Sequence, residues 1–234
     1  MRPLRNAECG LRSENDKKKA DSSAATPQSE IRNPQSPRPV IGLVGGVASG
    51  KTLVAAQLAA MGCDVVDADR IGHDLLDEEG IRRAIRERFG PEVFDAAGRV
   101  DRGRLGDRVF ADPLDREDLE EIVHPELWRR VRETVAAGRG GEAPAVVLDA
   151  ALLLEKGLDR WCDVMVYIEA SEETRRSRAA RSRGWDASEV ARREGTQVSL
   201  KTKQERADYT IDNESSPEHT FEQVREVLSR IVKS

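Results

Sequence analysis

Aromatic residues are scarce in this chain of 234: four Phe, three Trp and two Tyr make up 4%. So little ring surface argues against a protein that stacks on unpaired bases, and nucleic acid is not an expected partner. Cysteine is equally rare. Cys9, Cys63 and Cys162 are odd in number and far apart, so they form neither a disulfide framework nor a zinc-ligand spacing. A reducing cytoplasm is the expected location. Long apolar runs are missing too, since none approaches the roughly 20 residues of a membrane span. The three histidines, His73, His124 and His219, build no Ser–His–Asp or metal-binding pattern. What is left, 38% hydrophobic and 35% charged, suits a soluble enzyme with one sizeable domain, or one domain carrying a small insertion. A monomer or weak homo-oligomer is expected.

Residues 1–39 stand apart. They hold no aromatic residue, five of the ten prolines and a KKK run, with a net charge of +3 against −8 for the remainder. Such a segment cannot bury enough apolar area to offset its ordering entropy, and it is expected to be a disordered extension. It has no apolar core of the secretory type.

From Val40 onward, short apolar runs alternate with helical patterns. VIGLV (40–44), CDVVDAD (63–69), AVVLD (145–149), DVMVYIEA (163–170) and ADYTIDN (207–213) read as strands. Helices are expected over 51–61, about 69–77, 80–88, 102–137 with breaks at DP (112–113) and HP (124–125), about 186–204, and 217–232. SEET (171–174) has the form of a capping box ahead of an arginine-rich helix. Strands separated by helices imply an α/β fold, a five-stranded parallel sheet flanked by helices. Ligands in such a sheet bind at the carboxyl ends of the strands.

That is where the motifs lie. GGVASGKT (45–52) fits G-x-x-x-x-G-K-[ST] between a strand and a helix. Gly45, Gly46, Val47, Ala48, Ser49 and Gly50 would turn backbone N–H groups toward phosphate oxygens of ATP or GTP. Lys51 would reach the β- and γ-phosphates, and the Thr52 hydroxyl would hold Mg²⁺. A kinase also needs a carboxylate to orient the acceptor hydroxyl and take its proton. Asp69, just past the end of the second strand, which lies beside the P-loop strand in many such sheets, is the candidate. Asp67 has two readings, the water shell of Mg²⁺ or a cap on the next helix, and both acids also suit N-caps. Asp149 ends a strand of Walker B shape and is a second Mg²⁺ candidate, with a structural role as the competing reading. In TRRSRAARSRG (174–184), Arg178 and Arg183 are the choices for a lid that neutralises the transferring group, against a solvated basic helix.

In the order and spacing of its pieces, the chain resembles the dephospho-CoA kinase family over about residues 40–232. The pieces are IGLVGGVASGKT (41–52), VVDADRIGHDLL (65–76), VDRGRLGDRVF (100–110), IVHPEL (122–127), VVLDAALLLEKGL (146–158), RSRG (181–184) and KQERADYTIDN (203–213). The resemblance implies a P-loop NTPase fold of the nucleotide-kinase type. Its helical substrate-binding region would span about 75–140, and its Arg-rich lid about 171–205. It implies phosphorylation of the ribose 3′-hydroxyl of dephospho-CoA by ATP. It also makes Asp69 the catalytic base, sets His124 in the acceptor region and sets Asn213 near the adenine end of ATP. Ala48 stands where the family often has glycine, and Ala151 where it often has proline. A regulatory GTPase would share the loop but usually carries N-K-x-D, and none of Asn6, Asn15, Asn33 and Asn213 is followed by lysine.

Overall fold

The computed structural model describes residues 38–233. The N-terminal extension expected over 1–39 lies outside the described residues, apart from Arg38 and Pro39. Five strands are seen: β1 (Val40–Gly45), β2 (Asp64–Asp67), β3 (Val146–Asp149), β4 (Val164–Glu169) and β5 (Tyr209–Asp212). They pair in parallel in the order β2-β3-β1-β4-β5. The strand bearing Asp67 is therefore not beside the P-loop strand, as expected from sequence. β3 lies between them, and Asp149 sits in register with both Asp67 and Leu43.

Side chains alternate across this sheet and build two cores. Val40, Val44, Val146, Leu148, Met165 and Tyr167 face one way, and Ile41, Leu43, Val147, Val166, Ile168 and Ile211 the other. β1 is buried along its whole length, because helices cover both faces. On the second face pack α1 (Lys51–Ala60), through Val54, Ala55 and Leu58, and α9 (Pro217–Lys233), through Thr220, Val224, Leu228 and Ile231. Each buried Leu, Ile or Val contributes roughly 1.5–3 kcal/mol.

The rest of the helices are α2 (Ala68–Leu75), α3 (Glu79–Phe89), α4 (Arg102–Ala111), α5 (Pro113–Gly140), α6 (Glu172–Arg183), α7 (Ala187–Glu194) and α8 (Leu200–Glu205). The DP at 112–113 separates α4 from α5: the Asp112 side chain accepts from Leu114 N at 2.9 Å, and Pro113 takes the first turn, where its missing N–H is not needed. The HP at 124–125 does not break the helix. α5 continues through Pro125, although an interior proline costs on the order of 3 kcal/mol. Beyond it, Val131 and Val135 are buried against the sheet, with Leu127 and Trp128 packed on the same core, and that packing offsets the lost bond. The helix expected over 186–204 is two helices: α7 ends at Gly195 and Ser199 caps α8. Between β2 and β3, Ile85, Phe89, Val93, Phe94, Val100 and Leu105 form a third, separate core.

Candidate active site

Gly50 closes the loop after β1 at φ 102, a left-handed backbone that suits glycine. A Cβ there would also clash with the Asn213 amide. Ala48 is likewise left-handed, at φ 58, which explains the glycine common there in the resembled family. α1 begins without a side-chain cap and with no acidic residue in its first turn. By contrast α2, α4, α5, α6, α7 and α8 are each capped by an Asp or Ser side chain. An uncapped N-terminus with its dipole exposed is the arrangement that receives phosphate. Lys51 Nζ lies 3.4 Å from the Gly45 carbonyl and 3.3 Å from that of Gly46. Burial pushes its pKa down to about 8, with Asp149 acting the other way and Lys203 adding to the fall.

Three carboxylates meet Lys51 across a cleft of about 1130 Å³. Single small-molecule sites occupy roughly 300–1,000 Å³, so there is room for donor and acceptor together. Asp67 caps α2, accepting from Arg70 N at 2.8 Å. Asp69 sits in the first turn of α2, and its Oδ2 accepts from Ala151 N at 2.9 Å. As a residue Asp69 keeps much of its surface, but its carboxylate lines the cleft. There burial raises its pKa, the Ala151 N–H opposes the rise and Asp67 adds to it. Asp149 is pushed up to about 6 by burial, with Lys51 opposing and Asp69 and Asp67 adding. Ala151, where proline was a family expectation, thus has an amide hydrogen that proline lacks, and uses it to hold Asp69.

Arg178, Arg181 and Arg183 of α6 and Arg193 of α7 line the cleft opposite these acids. Arg178 Nη1 reaches the Ser49 carbonyl at 3.5 Å, and Arg183 lies over the Trp185 ring at 4.6 Å. Arg176 pairs instead with Glu172, both exposed. Ser171 caps α6 through Thr174 N at 3.2 Å. The reciprocal bond of the capping box comes from elsewhere: Glu214 accepts from Ser171 N at 2.7 Å.

Asn213 is buried and does not line the cleft. Its Nδ2 donates to the Ser49 carbonyl at 2.7 Å and its Oδ1 accepts from Thr220 at 2.8 Å. It therefore braces the loop from behind. His124 lies in the middle of α5, stacked on Trp128 at 5.4 Å, and is not among the cleft residues. Burial lowers its pKa, and Lys156 lowers it further. Glu120, one turn before His124, does line the cleft and pairs with Lys156 at 2.5 Å. Sequence reasoning passed over Lys203 and Arg175, both almost fully buried behind the loop. A single sequence offers no signal for them, since each lies in a charged helical stretch that reads as solvated.

A carboxylate held past a strand end, beside a loop shaped for triphosphate, is the geometry that can partner an acceptor hydroxyl, and the cleft has room for one. The protein is therefore a P-loop kinase. Within that class the comparisons are specific. The CoaE dephospho-CoA kinase family matches residues 39–219. Dephospho-CoA kinase of Symbiobacterium thermophilum is 43% identical over 190 residues, 79% of this chain and 78% of that protein. That of Syntrophotalea carbinolica is 37% identical over 194 residues, 82% and 92% of the two. The structure of TT1252 from Thermus thermophilus superposes with a TM-score of 0.72 at 32% identity, over 83% of this chain and 98% of that one. The chain belongs to the dephospho-CoA kinase family. Among the described residues no helix is long and apolar enough to cross a membrane.

Proposed function

We propose that the protein phosphorylates the ribose 3′-hydroxyl of dephospho-CoA with ATP, giving coenzyme A and ADP, in the last step of CoA synthesis. The observation that carries the reading is the family match through 39–219, with Asp69 held in the cleft beside the loop. Residues 45–52 hold the triphosphate through backbone N–H groups, and Lys51 turns to its β- and γ-phosphates. Asp69 accepts a hydrogen bond from the 3′-hydroxyl. As that oxygen bonds to the γ-phosphorus and the bond to the ADP oxygen breaks, Asp69 takes the proton. Arg178 and Arg183 act from a lid over 171–205 and offset charge on the transferring group. The helices between 75 and 140 form the acceptor side, with His124 behind the Glu120–Lys156 pair. The Asn213 role becomes one of support to the loop.

Mg²⁺ fits the donors present. Asp149 is a half-buried carboxylate on the cleft wall beside Lys51, and Thr52 offers an exposed hydroxyl. Among the described residues no three His, Cys, Asp or Glu side chains form a ready cage, as befits an ion that arrives on ATP. When bound, it would neutralise phosphate charge. We place the protein in the cytoplasm. An acceptor screen tests the reading: purified protein with MgATP and, separately, dephospho-CoA, nucleosides and nucleoside monophosphates. ADP release is expected with dephospho-CoA; release with AMP or uridine but not dephospho-CoA would overturn it.

A further inference from the structure

Lys203 is 2% exposed, and a buried ammonium is tolerated only where its donors and charge are met. Here all three directions are used. Its Nζ donates to Gln197 Oε1 at 2.6 Å, faces Glu155 at 3.4 Å and reaches the Gly45 carbonyl at 3.4 Å. Glu155 is itself anchored, accepting from Val198 N at 2.8 Å. Lys203 is thus fixed from behind by α8, by the segment before it and by the segment after β3.

The Gly45 oxygen is shared. Lys51 Nζ stands on the same carbonyl at 3.4 Å. Two ammonium groups on one oxygen repel, and only one of them is free to leave. Lys51 must leave to contact a triphosphate. The Gly46 carbonyl that Lys51 also touches keeps the Ser49 N–H at 3.2 Å. The Gly45 carbonyl keeps Lys203.

We propose that Lys203 is a positioning residue for phosphoryl transfer: it holds the Gly45 carbonyl from behind the loop, so that Lys51 is released toward the triphosphate. The inference rests on the loop being an ATP site and is independent of which acceptor is used. With Lys203 removed, Lys51 stays on the carbonyl, or leaves it short of a charged donor. Either way ATP binds less tightly, by about 5- to 150-fold, the range for one buried acceptor left unmade.

The test uses Lys203→Met, Lys203→Arg and the double variant Lys203→Met/Glu155→Gln, which removes the buried cation and anion together. Affinity for a fluorescent ATP analogue, KM for each substrate and the thermal midpoint are measured on each. The expected result is at least about a fivefold loss of nucleotide affinity in both Met variants. KM for dephospho-CoA stays near wild type, Lys203→Arg recovers most of the affinity, and the double variant melts near wild type. Wild-type nucleotide affinity in the double variant would overturn the proposal, as would equal losses for both substrates. Wild-type protein that binds the analogue but phosphorylates no dephospho-CoA would instead refute the substrate assignment, leaving the binding comparison to decide the role of Lys203.

Discussion

Asp69→Asn separates chemistry from folding at one position. The amide is isosteric with the carboxylate, and its oxygen can still accept from Ala151 N, now at 2.9 Å. What it loses is basicity. Burial and the neighbouring Asp67 hold the Asp69 pKa above its ordinary value. Relative to the unfolded chain the fold therefore favours the neutral carboxyl, and that contribution to stability is present at acid pH and lost as pH rises through the folded pKa. Neutral Asn removes that penalty, so the thermal midpoint at pH 7–8 is expected to stay level or rise. A positioned general base contributes about 10²- to 10⁴-fold, or about 2.7–5.4 kcal/mol of barrier. Steady-state CoA formation should show kcat lowered by at least about 10²-fold, with KM for ATP near wild type. Near wild-type kcat would refute the role. A kcat loss accompanied by a clear fall in the melting temperature would make Asp69 structural instead.

Asp149→Asn should stabilise the protein at pH 8 while lowering kcat. The Asp149 pKa is pushed up to about 6, so its stability contribution is present below about pH 4 and lost by pH 6–7. The gain at pH 8 is bounded by about 3 kcal/mol, and urea unfolding at pH 8 and pH 4 should show it shrink toward zero at the lower pH. Ala48→Gly relieves a left-handed alanine at φ 58, worth about 1–2 kcal/mol against about 0.5–1 kcal/mol of added chain entropy. A level or slightly higher melting point with retained activity is expected, and a clear loss of stability would contradict the strain. Lys51→Ala should abolish transfer in the same CoA assay while the protein still folds by circular dichroism. Removing residues 1–37 should leave kcat and melting point unchanged. Arg38 and Pro39 are kept, because Arg38 donates to the Arg139 carbonyl at 3.1 Å and Pro39 accepts from Val146 N at 3.0 Å.

The sheet was legible because its strands are short, β-branched and buried on both faces, as in VIGLV and AVVLD. The loop was legible because glycine spacing encodes backbone shape directly. Strand order was not. Nothing local in CDVVDAD says that β3 will insert beside β1, since that depends on which crossover packs. Pro125 misled for a related reason: its local penalty is readable, whereas the buried Val131 and Val135 that outweigh it are a tertiary fact. Of the site, Lys51, Asp69, Asp149, Arg178, Arg181 and Arg183 converge on one cleft. Asn213 and His124 do not line it. Asn213 is occupied by Ser49 and Thr220, and His124 by Trp128. Lys203 and Lys201 look alike in sequence, yet one is buried and the other exposed. Only the packing of α8 distinguishes them.

What defines this enzyme is phosphoryl transfer to one hydroxyl of one acceptor. A ³¹P spectrum of the products formed from MgATP and dephospho-CoA tests it most directly. Equimolar ADP and a new phosphomonoester on the ribose 3′-oxygen are expected. ADP formed without any acceptor phosphate, or phosphate on another oxygen, would contradict it.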